Sequence, residues 1–266
     1  SKIAILLDEC RKMKINVRPP NINKPSVYFD VENGEIIFGM AAIKGVGEGA
    51  VEEIYNAKKN LNRDFKNIFD FCANVDNRIL NKKALEALVL AGAFDFTGFS
   101  RSQNFMAIEA AIEYGKNYKK TLEKSTDSLF DLSASDDILI QEPKMPEVPS
   151  WGLEIELANE RKVLGFYLSD HPVSKYEIDR NFIANVELGD TTNVNDNDEV
   201  TVLGVIIEKD EKLDKNKRPM AFFKVDDITG VCECIIFNRA YESAKNLLVE
   251  ENVVCINGIA ENTGDS

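Results

Sequence analysis

One short stretch restricts what this chain can fold into more than any other: Ile43-Lys44-Gly45-Val46-Gly47-Glu48-Gly49-Ala50-Val51-Glu52-Glu53-Ile54. Two glycines flank one valine, and a periodic apolar segment follows at once. Glycine reaches backbone angles closed to other residues and lets another backbone come close. Ala50, Val51 and Ile54 then fall on one face of a helix. The pattern predicts a tight turn with backbone N–H groups open at a helix N-terminus, a site that attracts an anion. Nucleic-acid phosphate is the repeating anion that suits so small a turn, with Lys44 as a nearby positive charge. A plain helix-joining turn is the competing reading of the same residues.

The flanking sequence supplies helices. Ile3, Leu6, Leu7, Cys10 and Met13 give an amphipathic segment over 1–16, which Pro19 and Pro20 end. Asn33-Gly34, between Val27-Tyr28-Phe29 and Glu35-Ile36-Ile37-Phe38-Gly39, predicts a hairpin. Beyond the glycine turn a helix runs to about Asn60, and Phe65, Ile68, Phe69 and Phe71 read as core. The spacing predicts a second helix over 77–90, with Leu80, Ala84, Ala87 and Leu88 on its apolar face and Gly92 closing it. Ala91-Gly92-Ala93 is a degenerate echo of the first turn, with Lys82 and Lys83 as its nearby cations. Ser100 and Gln103 fit a capping box that opens a helix to about Lys120. Residues 121–150, rich in serine and acidic residues and then in proline, read as an extended connector carrying the small apolar island Ser128-Leu129-Phe130. Helical periodicity resumes from Trp151 to Gly165.

From about Glu199 the pattern changes to strands. Val200 to Ile207 forms the first, Asp210 to Arg218 a polar hairpin loop, Met220 to Val225 the second and Val231 to Phe237 the third. A short helix over 241–248 and a strand over 251–258 follow. This order is the one expected of a small oligonucleotide-binding barrel, here without a clear fifth strand. Candidate single-strand contacts are Lys209, Lys212, Lys215, Lys217 and Arg218 of the loop, with Phe222 and Phe223, since aromatics stack on bases. Alternation turns only one of these two phenylalanines outward, and a core strand with a solvated loop is the alternative.

Charge limits these readings. The formal net charge is −13, which argues against a general nucleic-acid coat. Its distribution is uneven: residues 1–120 hold 18 Lys and Arg against 15 Asp and Glu, net +3, and residues 121–266 hold 14 against 30, net −16. The part carrying the glycine turn repels phosphate least. The five cysteines have no zinc spacing, and Cys232-Glu233-Cys234 reads as strand alternation, so no metal and no cofactor are expected. Ser169, Asp170 and His171 suggest a hydrolase triad only superficially, since no nucleophile elbow surrounds Ser169; His171-Pro172 reads as a helix-ending turn. No apolar run is long enough for a membrane span and no signal peptide opens the chain, so a cytoplasmic protein is expected. The chain starts at Ser1 rather than methionine and is expected to be a piece of a longer one.

Taken in order, these residues resemble the bacterial replicative DNA polymerase III alpha subunits, in the portion after the catalytic module. The resemblance rests on Glu9-Cys10-Arg11-Lys12-Met13 with Pro19-Pro20-Asn21-Ile22-Asn23, on Phe38-Gly39-Met40-Ala41-Ala42-Ile43-Lys44-Gly45-Val46-Gly47-Glu48, on Phe69-Asp70-Phe71-Cys72, and on Asn81-Lys82-Lys83-Ala84-Leu85-Glu86 with Ala91-Gly92-Ala93-Phe94-Asp95. Glu160, Leu164-Gly165-Phe166-Tyr167-Leu168-Ser169-Asp170-His171-Pro172 and Asp226-Asp227-Ile228-Thr229-Gly230 extend it. It implies an α+β multidomain chain. Residues 1–35 would end the polymerase fingers region, and 36–120 would be a tandem helix–hairpin–helix domain holding double-stranded DNA through Lys44, Gly45, Val46, Gly47, Lys82, Lys83 and Gly92. Residues 121–150 would be a connector with a sliding-clamp-binding segment at Ser128, Leu129 and Phe130, and 151–184 a helical linker. Residues 185–266 would be an incomplete oligonucleotide-binding domain touching single-stranded template. Other polymerase III holoenzyme subunits would be partners. The family's nucleotidyltransferase carboxylates belong to a palm domain that has no counterpart here, so the expected role is DNA binding without polymerisation. A protein-interaction module with vestigial DNA contacts is the alternative.

Overall fold

The apolar periodicity after Gly47 becomes helix α1, Glu48–Leu61, which buries Ala50, Val51, Ile54 and Ala57. In the computed structural model the described residues are 13–76, 78–127 and 141–261, with Ile3, Leu6, Leu7, Glu9 and Cys10. Two compact units hold Cys10–Ser169 and Asp170–Ser266.

The first unit is mostly helical and carries a small sheet near its start. Strand β1, Val17–Arg18, runs parallel to β3, Glu35–Ile37, and β2, Asp30–Glu32, is antiparallel to β3. Asn33 and Gly34, both at positive φ, make the two-residue turn. The hairpin's first arm is Asp30–Glu32 rather than the expected 27–29. That earlier segment is tied instead to the chain before the glycine bend, where Met40 and Ala41 N–H donate to Ser26 and Val27 carbonyls. Helix α2, Ile68–Asn74, starts where the Asn67 side chain accepts from the Phe69 and Asp70 amides. Helix α3, Lys82–Leu90, starts later than the expected 77: the Asp76 carbonyl draws Ile79 and Leu80 N–H into a turn, and Asn81 caps the helix from its side chain. Helix α4, Arg101–Asp127, opens on the expected capping box, with Ser100 N–H on Gln103 Oε1 at 3.1 Å and Gln103 N–H on Ser100 Oγ at 3.2 Å. Helix α5, Leu153–Leu164, ends at left-handed Gly165. Phe38, Phe65, Phe69, Phe71 and Phe94 fill the core, and Phe71 meets Phe65 and Phe94 edge-on at centroid distances of 5.1 and 5.2 Å.

The second unit holds α6, Glu177–Ile183, and a curled antiparallel sheet of order β6-β5-β4-β7. Its strands are β4, Glu199–Leu213, β5, Pro219–Asp226, β6, Val231–Phe237, and β7, Val253–Ile259. The sheet resembles a partial oligonucleotide-binding barrel, and no fifth strand occurs among the described residues. Helix α7, Asn238–Ala244, starts earlier than expected. The expected loop over 210–218 is shorter too: β4 continues to Leu213, opposite Pro219, and only the turn around Asp214–Arg218 lies outside the ladder. Val202, Ile206, Ala221, Phe223, Val225, Tyr241 and Leu248 form the core. One end is closed by backbone contact that only glycine allows: a Cβ on Gly189 would lie 2.2 Å from the Thr229 carbonyl oxygen. The Asp227 carboxylate locks that turn by accepting from the Leu188, Thr229 and Gly230 amides.

Candidate nucleic-acid interface

The first bend is built by one backbone requirement and one anchor. Gly45 has φ +90°, a left-handed conformation that other residues enter at a cost. Val46 is buried, and its N–H donates to the Ile43 carbonyl at 3.0 Å. Val46 is therefore a side-chain anchor with its amide spent, which corrects its expected place among the open donors. Gly47 is extended, at φ −82° and ψ 162°, and is the N-cap of α1; its carbonyl accepts from Ala50 and Val51. A Cβ on Gly47 would meet nothing within 4 Å, so the space in front of it is open. Gly45, Gly47, Glu48 and Gly49 are exposed, and their N–H groups have no acceptor among the described residues. These are the orphan donors of a helix start.

Lys44 is exposed beside this row. Its N–H donates to the Val163 carbonyl at 2.8 Å, and its Nζ lies 3.6 Å from where a Cβ on Gly165 would be. The side chain thus lies at the C-terminal end of α5, where the helix dipole favours a cation. Lys44 has no carboxylate partner among the described residues. Glu48, the first residue of α1, is held by the Tyr28 hydroxyl, which donates to Oε1 at 2.7 Å. That bond to the carboxylate raises the Tyr28 phenol above its ordinary pKa.

The echo of the bend is closed. Gly92 has φ +81°, donates to the Val89 carbonyl, and with Ala93 N–H on Leu88 completes the motif that ends α3. It is buried, and a Cβ there would lie 2.4 Å from Arg101 Nη2. Gly92 therefore supplies a conformation and room for the arginine rather than an open phosphate donor. Arg101 is held by Asp95 at 2.7 Å and by Glu160 at 3.2 Å. Lys82 is paired with Glu109 at 2.5 Å, while Lys83 is exposed with no partner among the described residues.

On the second unit the strand alternation resolves the phenylalanines. Phe223 is 5% exposed and inside; Phe222 is 37% exposed and outside, with Lys212 Nζ 4.9 Å from its ring centroid. Ile235 stands opposite Phe222 on β6, and Phe237 is exposed two residues on. Most of the cations are already paired: Lys209 with Glu211, Lys212 with Asp210 and Arg218 with Asp214, at 2.8–2.9 Å. Lys215 and Lys217 are exposed without partners among the described residues. Ser128, Leu129 and Phe130 lie outside the described residues.

Glu160 was not singled out by its chemistry. It is 1% exposed and accepts from Arg101, the Leu168 and Ser169 amides and the Ser169 hydroxyl. A signal was present: Leu157, Glu160 and Leu164 share one helix face, which places a carboxylate on an apolar stripe. Ser169 thus serves Glu160, while the buried His171 accepts the Val173 amide at Nδ1, leaving Nε2 to donate to Asp226 at 3.2 Å. Cys232 and Cys234 have their Sγ atoms 3.5 Å apart, and no metal-ligand cluster occurs among the described residues. No helix among those residues is long and apolar enough to cross a membrane.

Comparison with known proteins gives two domain matches. Residues 14–104 match the helix-hairpin-helix motif, and residues 200–266 match the OB-fold nucleic acid binding domain. The chain is 35% identical over 263 residues to the DNA polymerase III subunit alpha of Aquifex aeolicus, covering 98% of this chain and 21% of that protein. It is 31% identical over 260 residues to those of Vibrio cholerae and Escherichia coli strain K12, covering 97% of this chain and 22% of each relative. It therefore spans about a fifth of the length of the curated relatives it matches.

Proposed function

We propose that this chain, whose two matched domains are those of bacterial DNA polymerase III alpha subunits, holds duplex primer–template by its phosphates and does not itself polymerise. The observation that carries the reading is the first bend. Four exposed residues there offer amides without an internal acceptor, at a helix N-terminus, beside Lys44. Amides and a lysine position a backbone without reading bases. Gly45 sets the angle, Val46 anchors the bend, and Gly47 leaves room for a phosphate; Lys83 is the cation available near the second hairpin.

In this reading residues 36–120 form the duplex-holding domain and 185–266 the barrel, with 1–35, 121–150 and 151–184 as the end of the fingers region, the connector and the helical linker. The clamp and other holoenzyme subunits are partners of the longer cytoplasmic protein, with clamp contact assigned to Ser128, Leu129 and Phe130. The expected measurement is titration of labelled duplex across a salt series. Lys44→Ala weakens binding for all sequences alike and lowers the slope of log affinity against log salt by about one. Gly45→Ala weakens it further. Equal affinity and slope in folded variants would remove the reading.

A second reading is favoured for the barrel alone. Its outer face carries Phe222, Ile235 and Phe237 with most nearby lysines already neutralised, which suits an apolar protein partner better than a charged strand. Single-strand contact through Phe222, Lys215 and Lys217 predicts salt-dependent fluorescence changes on oligonucleotide addition; protein contact predicts none.

A further inference from the structure

The bend that offers open amides also carries its own anion. Glu48 is the first residue of α1, so its carboxylate is attached beside the donors of Gly47, Glu48 and Gly49. A carboxylate in a first helical turn is attracted to those amides and to the helix dipole. Left alone, it would compete for the same donors as a phosphate at very high effective concentration.

The structure shows what restrains it. Tyr28 donates its hydroxyl to Glu48 Oε1 at 2.7 Å. The tyrosine reaches that position because its backbone is fixed on several sides. Ser26 Oγ donates to the Tyr28 carbonyl at 2.7 Å. Met40 and Ala41 N–H donate to the Ser26 and Val27 carbonyls, at 2.8 and 3.1 Å. Gly39 permits this closeness: a Cβ there would lie 2.5 Å from Phe29 N and Tyr28 C. Tyr28 as a whole stays 65% exposed, so little of this ordering serves to bury it.

We infer that Tyr28 is a positioning residue of the first bend, whose phenol holds the Glu48 carboxylate away from the open amides and so keeps them available to a backbone phosphate. The inference rests on the proposed duplex contact and adds a residue outside the glycine motif. It also gives Gly39 a purpose, since that glycine lets the Tyr28 backbone approach the segment leading into the bend.

The test is a double-mutant cycle read by duplex titration at fixed salt, with circular dichroism confirming the fold. Tyr28→Phe keeps the exposed ring and removes the hydroxyl. It weakens duplex binding by about three- to tenfold, the range of one hydrogen bond. Glu48→Gln binds as well as or better than the parent, and Tyr28→Phe has no further effect on it. Parent-like binding by Tyr28→Phe, or an equal loss in both backgrounds, overturns the inference, since a merely structural hydroxyl would not depend on the Glu48 charge. Lys44→Ala and Gly45→Ala in the same series separate the two levels. If they weaken binding while Tyr28→Phe does not, only the role of Tyr28 fails; if neither changes binding, the duplex reading fails with it.

Discussion

Asp70 shows how a single buried charge becomes a requirement of the fold. Its carboxylate meets Arg63 twice, at 2.6 and 2.9 Å, and accepts the Lys66 amide at 2.9 Å. Burial alone would push this carboxyl up; the guanidinium and the amide outweigh that and hold it below the ordinary carboxylate range. A depressed folded-state pKa means stability that is complete above the unfolded value, about 4, and is lost as pH falls through the folded value. Arg63→Ala, which leaves Asp70 buried without its fork, costs about 2 kcal/mol at neutral pH by denaturant unfolding. The same variant loses part of the parent's decline in stability below pH 4; an unchanged acid limb would show that Arg63 does not set the shift. Single residues were legible in the sequence where their partners are close along the chain. Ser100 and Gln103 could be paired from spacing alone, and Gly45 could be recognised as needing special backbone angles. Glu160 could not be assigned its role, because its cation, Arg101, stands 59 residues away. The spent amide of Val46 was equally hidden: an adjacent Gly-Val-Gly does not reveal which donor the turn consumes.

At the scale of elements, periodicity located helices well and their ends less well. The helix after the glycine bend and the capped α4 follow from local pattern. Helix α3 begins later than its apolar spacing suggests, because Asp76 and Asn81 offer the backbone alternative bonds. The strand β4 runs through Asp210, Glu211 and Lys212, where polarity alone reads as loop; cross-strand pairing with Phe222, Ala221 and Met220 keeps it extended. Gly115 illustrates a constraint carried between elements. It lies inside α4, where glycine costs about 1 kcal/mol relative to alanine. A Cβ there would lie 2.2 Å from the Cys72 carbonyl oxygen on α2. That neighbour is backbone and cannot swing aside, so the two helices would have to separate. Gly115→Ala therefore destabilises by about 1–3 kcal/mol, since overpacking exceeds the propensity gain. Gly49→Ala is the control: it is helical and exposed, with nothing within 4 Å of the added Cβ, so it is neutral or mildly stabilising. Thermal unfolding of the pair decides the matter, and a stabilised Gly115→Ala would mean that α2 and α4 do not pack this closely.

Across the whole molecule, charge works against the proposed task. The chain carries −13 in all, with a small basic excess only in residues 1–120. Phosphate contact must therefore be local, made by a few amides and lysines against a repulsive background. These two contributions respond differently to salt. Local contacts release counterions, so log affinity falls linearly with log salt. The background repulsion is screened within about 10 Å at 0.1 M but reaches about 30 Å at 0.01 M. As salt is lowered the proposed local contacts strengthen, and so does the repulsion that the chain's net negative charge exerts on a duplex. The expected plot of log duplex affinity against log salt is linear above about 0.1 M and flattens toward 0.01 M as the screening length grows. Exchanging the exposed acidic residues Asp196 and Glu199 for asparagine and glutamine, far along the sequence from the bend, steepens the low-salt part and leaves the high-salt part unchanged. A straight line down to 0.01 M in the parent would mean that the acidic portion never feels the duplex, and that the bend binds as if it stood alone.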